Sequence, residues 1–170
     1  VMPDQDAVLA ITSGLGDMQP VLTFAWEHLL PAMQDAPLPA NPRAQAALAD
    51  RLATLALRVQ SGNRTSPLAN SVSGKRYTFD KNEDGVSAVK LDFDENGAHI
   101  TLTDGRGDHQ LPCGFQTWAV GKSLLDQVPH EFQVRRTAAS GAWTADDTYT
   151  VRVSFNETPF IPVLSFRFVE

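Results

Sequence analysis

The pattern of hydrophobic and polar residues is clearest near the end of the chain, in residues 130–170. Between residues 149 and 155, tyrosine, valine and phenylalanine alternate with threonine, arginine and serine. The same alternation occurs in residues 132–137 and 160–168, and we expect the chain to break at Gly141. Alternating β-branched and aromatic residues, bounded by turn formers, indicate half-buried antiparallel strands. This stretch therefore predicts three consecutive strands.

A series of short predicted strands, separated by turn-forming residues, begins after residue 74. The predicted strands cover residues 75–80, 86–94, 98–103, 109–112 and 116–120. With the C-terminal runs they make about eight strands joined by short turns, which is typical of an up-and-down antiparallel sheet. The sheet closes into a lipocalin-like barrel or folds as a sandwich, and we favour the barrel because closure removes exposed strand edges.

The first third of the chain has a different pattern. Residues 8–13, VLAITS, are apolar and β-prone and predict a short strand. Asp17 then caps a helix that extends to about residue 33, because its carboxylate accepts from free amides of the first turn. Five apolar residues share one face of this helix at helical spacing: Leu22, Trp26, Leu29, Leu30 and Met33.

A second helix is predicted after a proline-rich linker. Asn41 is its N-cap and Pro42 its first residue, and the helix ends near Arg58. A loop follows and ends at residue 73. The chain is therefore predicted to have three regions: residues 1–35 with a strand and a helix, 36–73 with a linker and a helix, and 74–170 with the barrel. The fold class expected is α+β, mainly β.

Composition and charge exclude some classes of function. The chain has 170 residues, of which 42% are hydrophobic, which suffices for one domain with a core. No apolar run approaches the roughly 18 residues that a membrane span needs. The net charge is −6 and the basic residues are scattered, so no stripe of cations predicts a nucleic-acid partner.

The first residues, VMPDQDAVLA, lack the basic start and apolar middle of a signal peptide. Because the chain also opens on Val1, we interpret it as a fragment of a longer protein.

Candidate catalytic chemistry is sparse. Ser87 and Lys90 have the Ser-x-x-Lys spacing of penicillin-recognising enzymes, which works on a helix. In a strand, these two positions face opposite sides of the sheet, so the amine does not activate the hydroxyl. His99, His109 and Asp108 lack the spacing typical of metal ligands, and Cys113 is interpreted as a structural thiol. We therefore predict no catalytic residue, metal ligand or cofactor.

Three aromatic residues on or near the predicted strands, Trp118, Trp143 and Tyr149, have two interpretations. They line a barrel mouth and contact a ligand, or they belong to the core. Aromatic residues on strands are more often core residues.

Two segments resemble a known family. AITSGLGDMQPVLTFAWEHLLPA and AASGAWTADDTYTVRVSFNETPF are similar to the C-terminal region of bacterial serine hydrolases of the β-lactamase and penicillin-binding-protein family, with its class C-like, esterase and D-aminopeptidase relatives. The resemblance implies that residues 8–13 and 19–33 end a catalytic domain and that residues 74–170 are a lipocalin-like accessory barrel. The motifs that define the enzyme would lie upstream of Val1, so no catalytic residue is carried onto this chain.

Two functions follow as expectations. The first is a non-catalytic accessory domain that shapes substrate access or quaternary structure, with the upstream catalytic domain as its partner. The second is a lipocalin-like module that binds a small molecule or a peptide. The apolar face of the first helix also predicts a homodimer, because exposed apolar patches drive association. Both the periplasm and the cytoplasm of a bacterium remain open as locations.

Overall fold

The computed structural model describes residues 1–34, 36–123, 135–156 and 158–169. The chain divides into two compact units, Val1–Leu57 and Arg58–Glu170. The loop that precedes residue 74 belongs to the second unit.

The first unit is helical. After a 3₁₀ turn at Pro3–Gln5, helix α1 covers Gln19–Phe24 and continues through a π turn at Ala25–Leu29 and a 3₁₀ turn at Leu30–Ala32. Helix α2 covers Pro42–Ala53. The strand predicted at residues 8–13 was wrong, since these residues form neither strand nor helix. A strand needs a neighbour for its backbone hydrogen bonds, and the first unit contains no sheet in its described residues.

The predicted start of the second helix is confirmed, whereas the N-cap of α1 is Met18 and Asp17 lies one residue before it. The Gln19 amide donates to the Asp17 carboxylate at 2.9 Å. The Asn41 side chain accepts from the Ala44 amide at 3.0 Å, and proline occupies the first turn. Helix α2 ends before the predicted residue 58, because Thr54 caps it by donating its hydroxyl to the Asp50 carbonyl at 3.0 Å.

The second unit contains a short helix, α3 (Ala69–Val72), and one sheet of eight strands, which confirms the mainly-β fold class and the strand number. The strands are β1 (Arg76–Thr78), β2 (Ala88–Asp94), β3 (Gly97–Asp104), β4 (Gly107–Gly114), β5 (Ala119–Ser123), β6 (Arg135–Ala145), β7 (Thr148–Phe155) and β8 (Val163–Arg167). The predicted strand start at 132 lies outside the described residues. The predicted break at Gly141 was wrong, because β6 continues through it.

The sheet is a curled half-barrel with strand order β1-β2-β3-β4-β6-β7-β8, and β5 pairs with β6. Most neighbours are antiparallel, as predicted, but β4 meets β6 in parallel through Cys113–Ala139 and Gly114–Ser140. Strands β1 and β8 are the two ends of this order, and no hydrogen-bonded pairing joins them in the described residues. The two edges are therefore open.

The concave face of the sheet carries the core. Its buried side chains are mainly aliphatic and aromatic: Val89, Leu91, Ile100, Leu102, Leu111, Trp143, Tyr149, Val151, Val153 and Phe155. Burial of a large apolar side chain contributes about 1.5–3 kcal/mol, so this face supplies most of the stabilisation of the unit.

A short segment pairs with the edge of β6 that faces away from β7. We call residues 60–63 the strap. Asn63 exchanges two backbone hydrogen bonds with Trp143, at 2.8 and 2.9 Å, and the Gln60 amide donates to the Ser140 hydroxyl at 3.2 Å. Gly62 has φ of +152°, and an added Cβ would lie 2.4 Å from the Trp143 carbonyl oxygen. Only glycine lets the strap approach β6 this closely.

Candidate functional site

A groove lies between the two open edges of the half-barrel. Its volume is about 630 Å³, within the roughly 300–1,000 Å³ typical of ligand pockets. Helix α3 and the preceding residue contribute Leu68 and Val72, and the core strand β2 contributes Val89 and Leu91. The β1 side contributes Lys75, Tyr77 and Phe79, and the β8 side contributes residues 165–169. The groove therefore has an apolar floor and two strand edges as walls.

Aromatic contacts join the two walls of the groove. The Tyr77 ring lies 5.7 Å from the Phe168 ring, centroid to centroid, and Phe168 lies 5.7 Å from Trp143. These tilted arrangements are favourable for aromatic pairs. They hold the edge of β1 close to the end of β8 although no backbone hydrogen bond connects the two strands in the described residues.

The charges on the two walls differ. On the β8 wall, the Arg167 guanidinium donates to the Asp147 carboxylate at 2.9 Å. Hydrogen bonds from Thr148 and then from Arg167 hold the pKa of Asp147 below its usual range. On the β1 wall, Lys75 takes part in no ion pair with any residue that the structure describes. The β1 wall is therefore the one with uncompensated positive charge.

The three aromatic residues predicted at a barrel mouth lie elsewhere. Trp143 and Tyr149 are each only 1% exposed, with ring centroids 5.5 Å apart in the core, as the alternative interpretation expected. Trp118 is half-buried just before β5. None of the three belongs to the groove lining. Burial at this level removes Trp143 and Tyr149 from direct contact with a ligand at the surface.

The core aromatics contain two polar atoms without hydrogen-bond partners in the described structure, Trp143 Nε1 and the Tyr149 hydroxyl. The hydroxyl lies over Gly141, where an added Cβ would be 2.3 Å from its oxygen. Burial, with a smaller contribution from Cys113, raises the pKa of Tyr149 well above its usual value. The phenol is therefore held in its protonated form near neutral pH.

A partly buried ion-pair cluster occupies the turn between β3 and β4. Arg106 donates to the Asp104 carboxylate through Nε at 2.8 Å and Nη2 at 2.6 Å, and His109 Nε2 lies 2.7 Å from its other oxygen. Burial disfavours the charged carboxylate, but the bonds from Arg106 and His109 outweigh this and hold the pKa of Asp104 well below its usual range. The cluster fixes the turn.

The three residues considered as metal ligands, His99, His109 and Asp108, are not brought together. His109 contacts Asp104, whereas Asp108 accepts from the Thr103 hydroxyl at 2.6 Å. His99 pairs in register with Pro112, so the two histidines are separated along the sheet. In the part of the chain that the structure describes, no three His, Cys, Asp or Glu side chains are placed to hold a metal ion.

The Ser-x-x-Lys residues are engaged with other partners. The Ser87 hydroxyl donates to the Thr103 carbonyl at 3.1 Å, and Lys90 Nζ lies 3.0 Å from the Asp92 carboxylate. Cys113 is buried, and burial raises the pKa of its thiol to about 12. These contacts are structural: the lysine is not placed to activate the serine, and the thiol remains protonated.

The predicted association face on α1 and its continuation is largely exposed. Trp26 is 56% exposed, Leu22 42% and Leu29 40%, while Leu30 and Met33 are partly buried. The first unit contains no buried residue in either of its helices. Within the described residues, no helix combines the length and apolar character needed to cross a bilayer.

No local sequence pattern predicted the groove. Its lining comes from residues far apart in the chain, and only the alternation at Phe166 and Phe168 gave a signal, since it marked one apolar face of the last strand. The curl of the sheet brings the edges of β1 and β8 to face each other, and no local sequence pattern encodes this arrangement.

Comparison with known proteins provides no relative. No protein-family model matches the chain. No curated protein and no solved structure matches it.

Proposed function

We propose that this chain is a non-catalytic accessory region of a serine hydrolase of the β-lactamase and penicillin-binding-protein family. The observation that carries the proposal is the exposed apolar face of α1, with Leu22, Trp26 and Leu29, in a unit that buries none of its helical residues. Helices with exposed apolar residues of this size pack against a partner. An upstream catalytic domain supplies that partner, and the half-barrel shapes substrate access or quaternary structure.

The first test is to sequence the coding DNA upstream of Val1. The proposal expects one open frame with Ser-x-x-Lys at a helix start, then Tyr-x-Asn or Ser-x-Asn, then a Lys-Thr-Gly-like strand. The longer protein should then hydrolyse a chromogenic β-lactam or ester. A start codon close to Val1, or an upstream domain without these motifs, would overturn the proposal.

In the absence of the upstream domain, the same face is expected to pair with a second copy of the chain. Light scattering should then give twice the chain mass of 18.5 kDa. Trp26→Asp places a charge on the face and should yield the monomer mass. Leu48→Asp is the matched control on α2, since Leu48 is 59% exposed and lies outside the face. A wild-type monomer at high protein concentration would contradict this arrangement.

A second function is favoured by the groove. An apolar floor between two strand edges fits a module that binds a small apolar molecule or a peptide, and its volume of about 630 Å³ is sufficient for either. Binding of a fluorescent fatty acid or a labelled peptide by the full chain tests this function. Tyr77→Ala should weaken binding, because the Tyr77 ring forms part of one wall.

A further inference from the structure

We propose that the groove binds an extended peptide strand that lies between β1 and β8 and hydrogen-bonds to both. The peptide directs apolar side chains towards the floor and an acidic side chain towards the β1 wall. This inference rests on the second function above and specifies its ligand.

The backbone of β8 presents unused groups to the groove. Phe168 donates its amide to the Asp147 carbonyl, and Pro162 accepts from the Val153 amide, so even-numbered residues face β7. Successive residues of a strand direct their backbone groups to opposite edges. Ser165 and Arg167 therefore direct their amides and carbonyls towards the open edge, where the described residues contain no strand to pair with them.

The edge of β1 has the same character. Phe79 donates its amide to the Ser87 carbonyl on the β2 side, and Tyr77 pairs in register with Val89 of β2. By the same alternation, Arg76 and Thr78 direct their backbone groups away from β2 and towards β8. Two rows of donors and acceptors thus border one groove.

The length of the groove suits a short strand. The groove follows five consecutive residues of the β8 wall, 165–169. Four steps of about 3.3 Å give a length of about 13 Å, enough for a strand of about five residues. Recognition by strand addition uses this kind of edge: main-chain hydrogen bonds supply affinity, and alternate side chains supply specificity.

The lining determines the side chains of the ligand. Val89 and Leu91 form an apolar floor, and Phe166 and Phe168 add apolar rings from the β8 wall. This lining favours apolar residues at every second position. Lys75 lines the groove and has no ion pair among the described residues, whereas Arg167 is already paired with Asp147. An acidic side chain therefore complements the β1 wall.

A peptide satisfies this groove better than a hydrocarbon does. A buried amide or carbonyl without a hydrogen-bond partner is costly. A fatty acyl chain would cover the outward backbone groups of Thr78 and Ser165 and leave them unpaired, but a strand pairs them on both sides.

The experiment uses the full chain and fluorescence anisotropy. The probes are fluorescein-labelled decapeptides in which Val, Leu or Phe alternates with Thr around one central Glu. A second set carries N-methyl groups on alternate residues, which removes the donors of one edge without changing the side chains. Oleate serves as a non-peptide competitor, and circular dichroism checks that each variant is folded.

Proline substitutions separate main-chain recognition from side-chain contacts. Ser165→Pro and Thr78→Pro each remove an outward amide, and proline is tolerated on strand edges at such positions. The matched controls Ser165→Ala and Thr78→Ala keep the amide. We expect each proline variant to weaken peptide binding by about tenfold or more, the equivalent of at least ~1.4 kcal/mol. The alanine variants should bind like the wild type, and Lys75→Glu should prefer peptides with a central Lys.

Every outcome has a clear meaning. Loss of binding with N-methylated peptides and with both proline variants supports the proposal. Peptide binding that is unaffected by N-methylation or by proline overturns it. Oleate binding without peptide binding overturns it too, but retains the groove as a small-molecule site. If neither probe binds with a Kd below about 1 mM, the inference and the second function both fail, while the accessory-region proposal still depends on the upstream sequence.

Discussion

Removal of one buried hydroxyl should stabilise this protein. Tyr149 is 1% exposed, and its hydroxyl has no hydrogen-bond partner in the described structure. Its ring packs edge-on against Phe93 at 4.9 Å and against Trp143 at 5.5 Å. Tyr149→Phe keeps these ring contacts and removes only the oxygen that lies over Gly141.

The magnitude follows from the balance of two terms. A buried, unpaired hydroxyl costs about 1–3 kcal/mol, whereas loss of one oxygen leaves a space smaller than a methyl group, worth less than ~1 kcal/mol. We expect the free energy of unfolding to rise by about 1 kcal/mol. For a unit of this size, such a change raises Tm by about 4 °C.

Urea unfolding followed by far-UV circular dichroism measures the difference. Tyr77→Phe is the matched control, because Tyr77 is only partly buried and its hydroxyl change should stay within about 0.5 kcal/mol. If Tyr149→Phe lowers the free energy of unfolding by 1 kcal/mol or more, the hydroxyl has a partner in the folded protein and the reasoning is refuted.

Three further predictions concern the strap, the ion-pair cluster and the thiol. Gly62→Ala places a Cβ 2.4 Å from the Trp143 carbonyl at a positive φ, so it should destabilise the protein by about 3 kcal/mol; Gly105→Ala, which meets no atom within 4 Å, should be nearly neutral in the same urea titration. Asp104→Asn removes a charged acceptor and should cost about 2 kcal/mol at pH 7. Because the folded-state pKa of Asp104 is lowered, the stability that its carboxylate contributes is fully present above the ordinary aspartate pKa of about 3.9 and is progressively lost as pH falls below that value. If the difference in unfolding free energy between the wild type and Asp104→Asn persisted unchanged at pH 2, the ion-pair account would be contradicted. Cys113, with its thiol pKa raised to about 12 by burial, should react with a thiol reagent only after unfolding, and rapid labelling of the native protein would show that the thiol is accessible.

The local parts of the fold were predictable from sequence. Asn41 followed by proline fixed a helix start, because a side-chain cap satisfies its own first turn. Alternation identified most strands of the half-barrel. The segment 8–13 is also apolar and β-prone but forms no strand. Its β-propensity is not realised because the described first unit contains no neighbouring strand.

The position of side chains relative to the core was less predictable. Alternation placed Tyr149 on one face of its strand but could not say whether that face was the core or a ligand site. His109 was compared with His99 and Asp108, whereas its partner is Asp104 across the hairpin turn. The pairing of β4 with β6 was also missed, because it joins residues far apart in sequence by only two register pairs.

That short parallel contact divides the sheet into two foldons. Strands β1–β4 and β5–β8 each form from neighbours in sequence, so their ladders can assemble early and locally. Joining them requires closure of long loops, through two residue pairs at Cys113 and Gly114 and through the strap at Asn63. Among the paired amides in the interior of the sheet, those along this seam should therefore exchange fastest. A peptide bound between β1 and β8 would link the two foldons at the other end of the strand order. It would therefore slow the opening of the β4–β6 seam without contacting it.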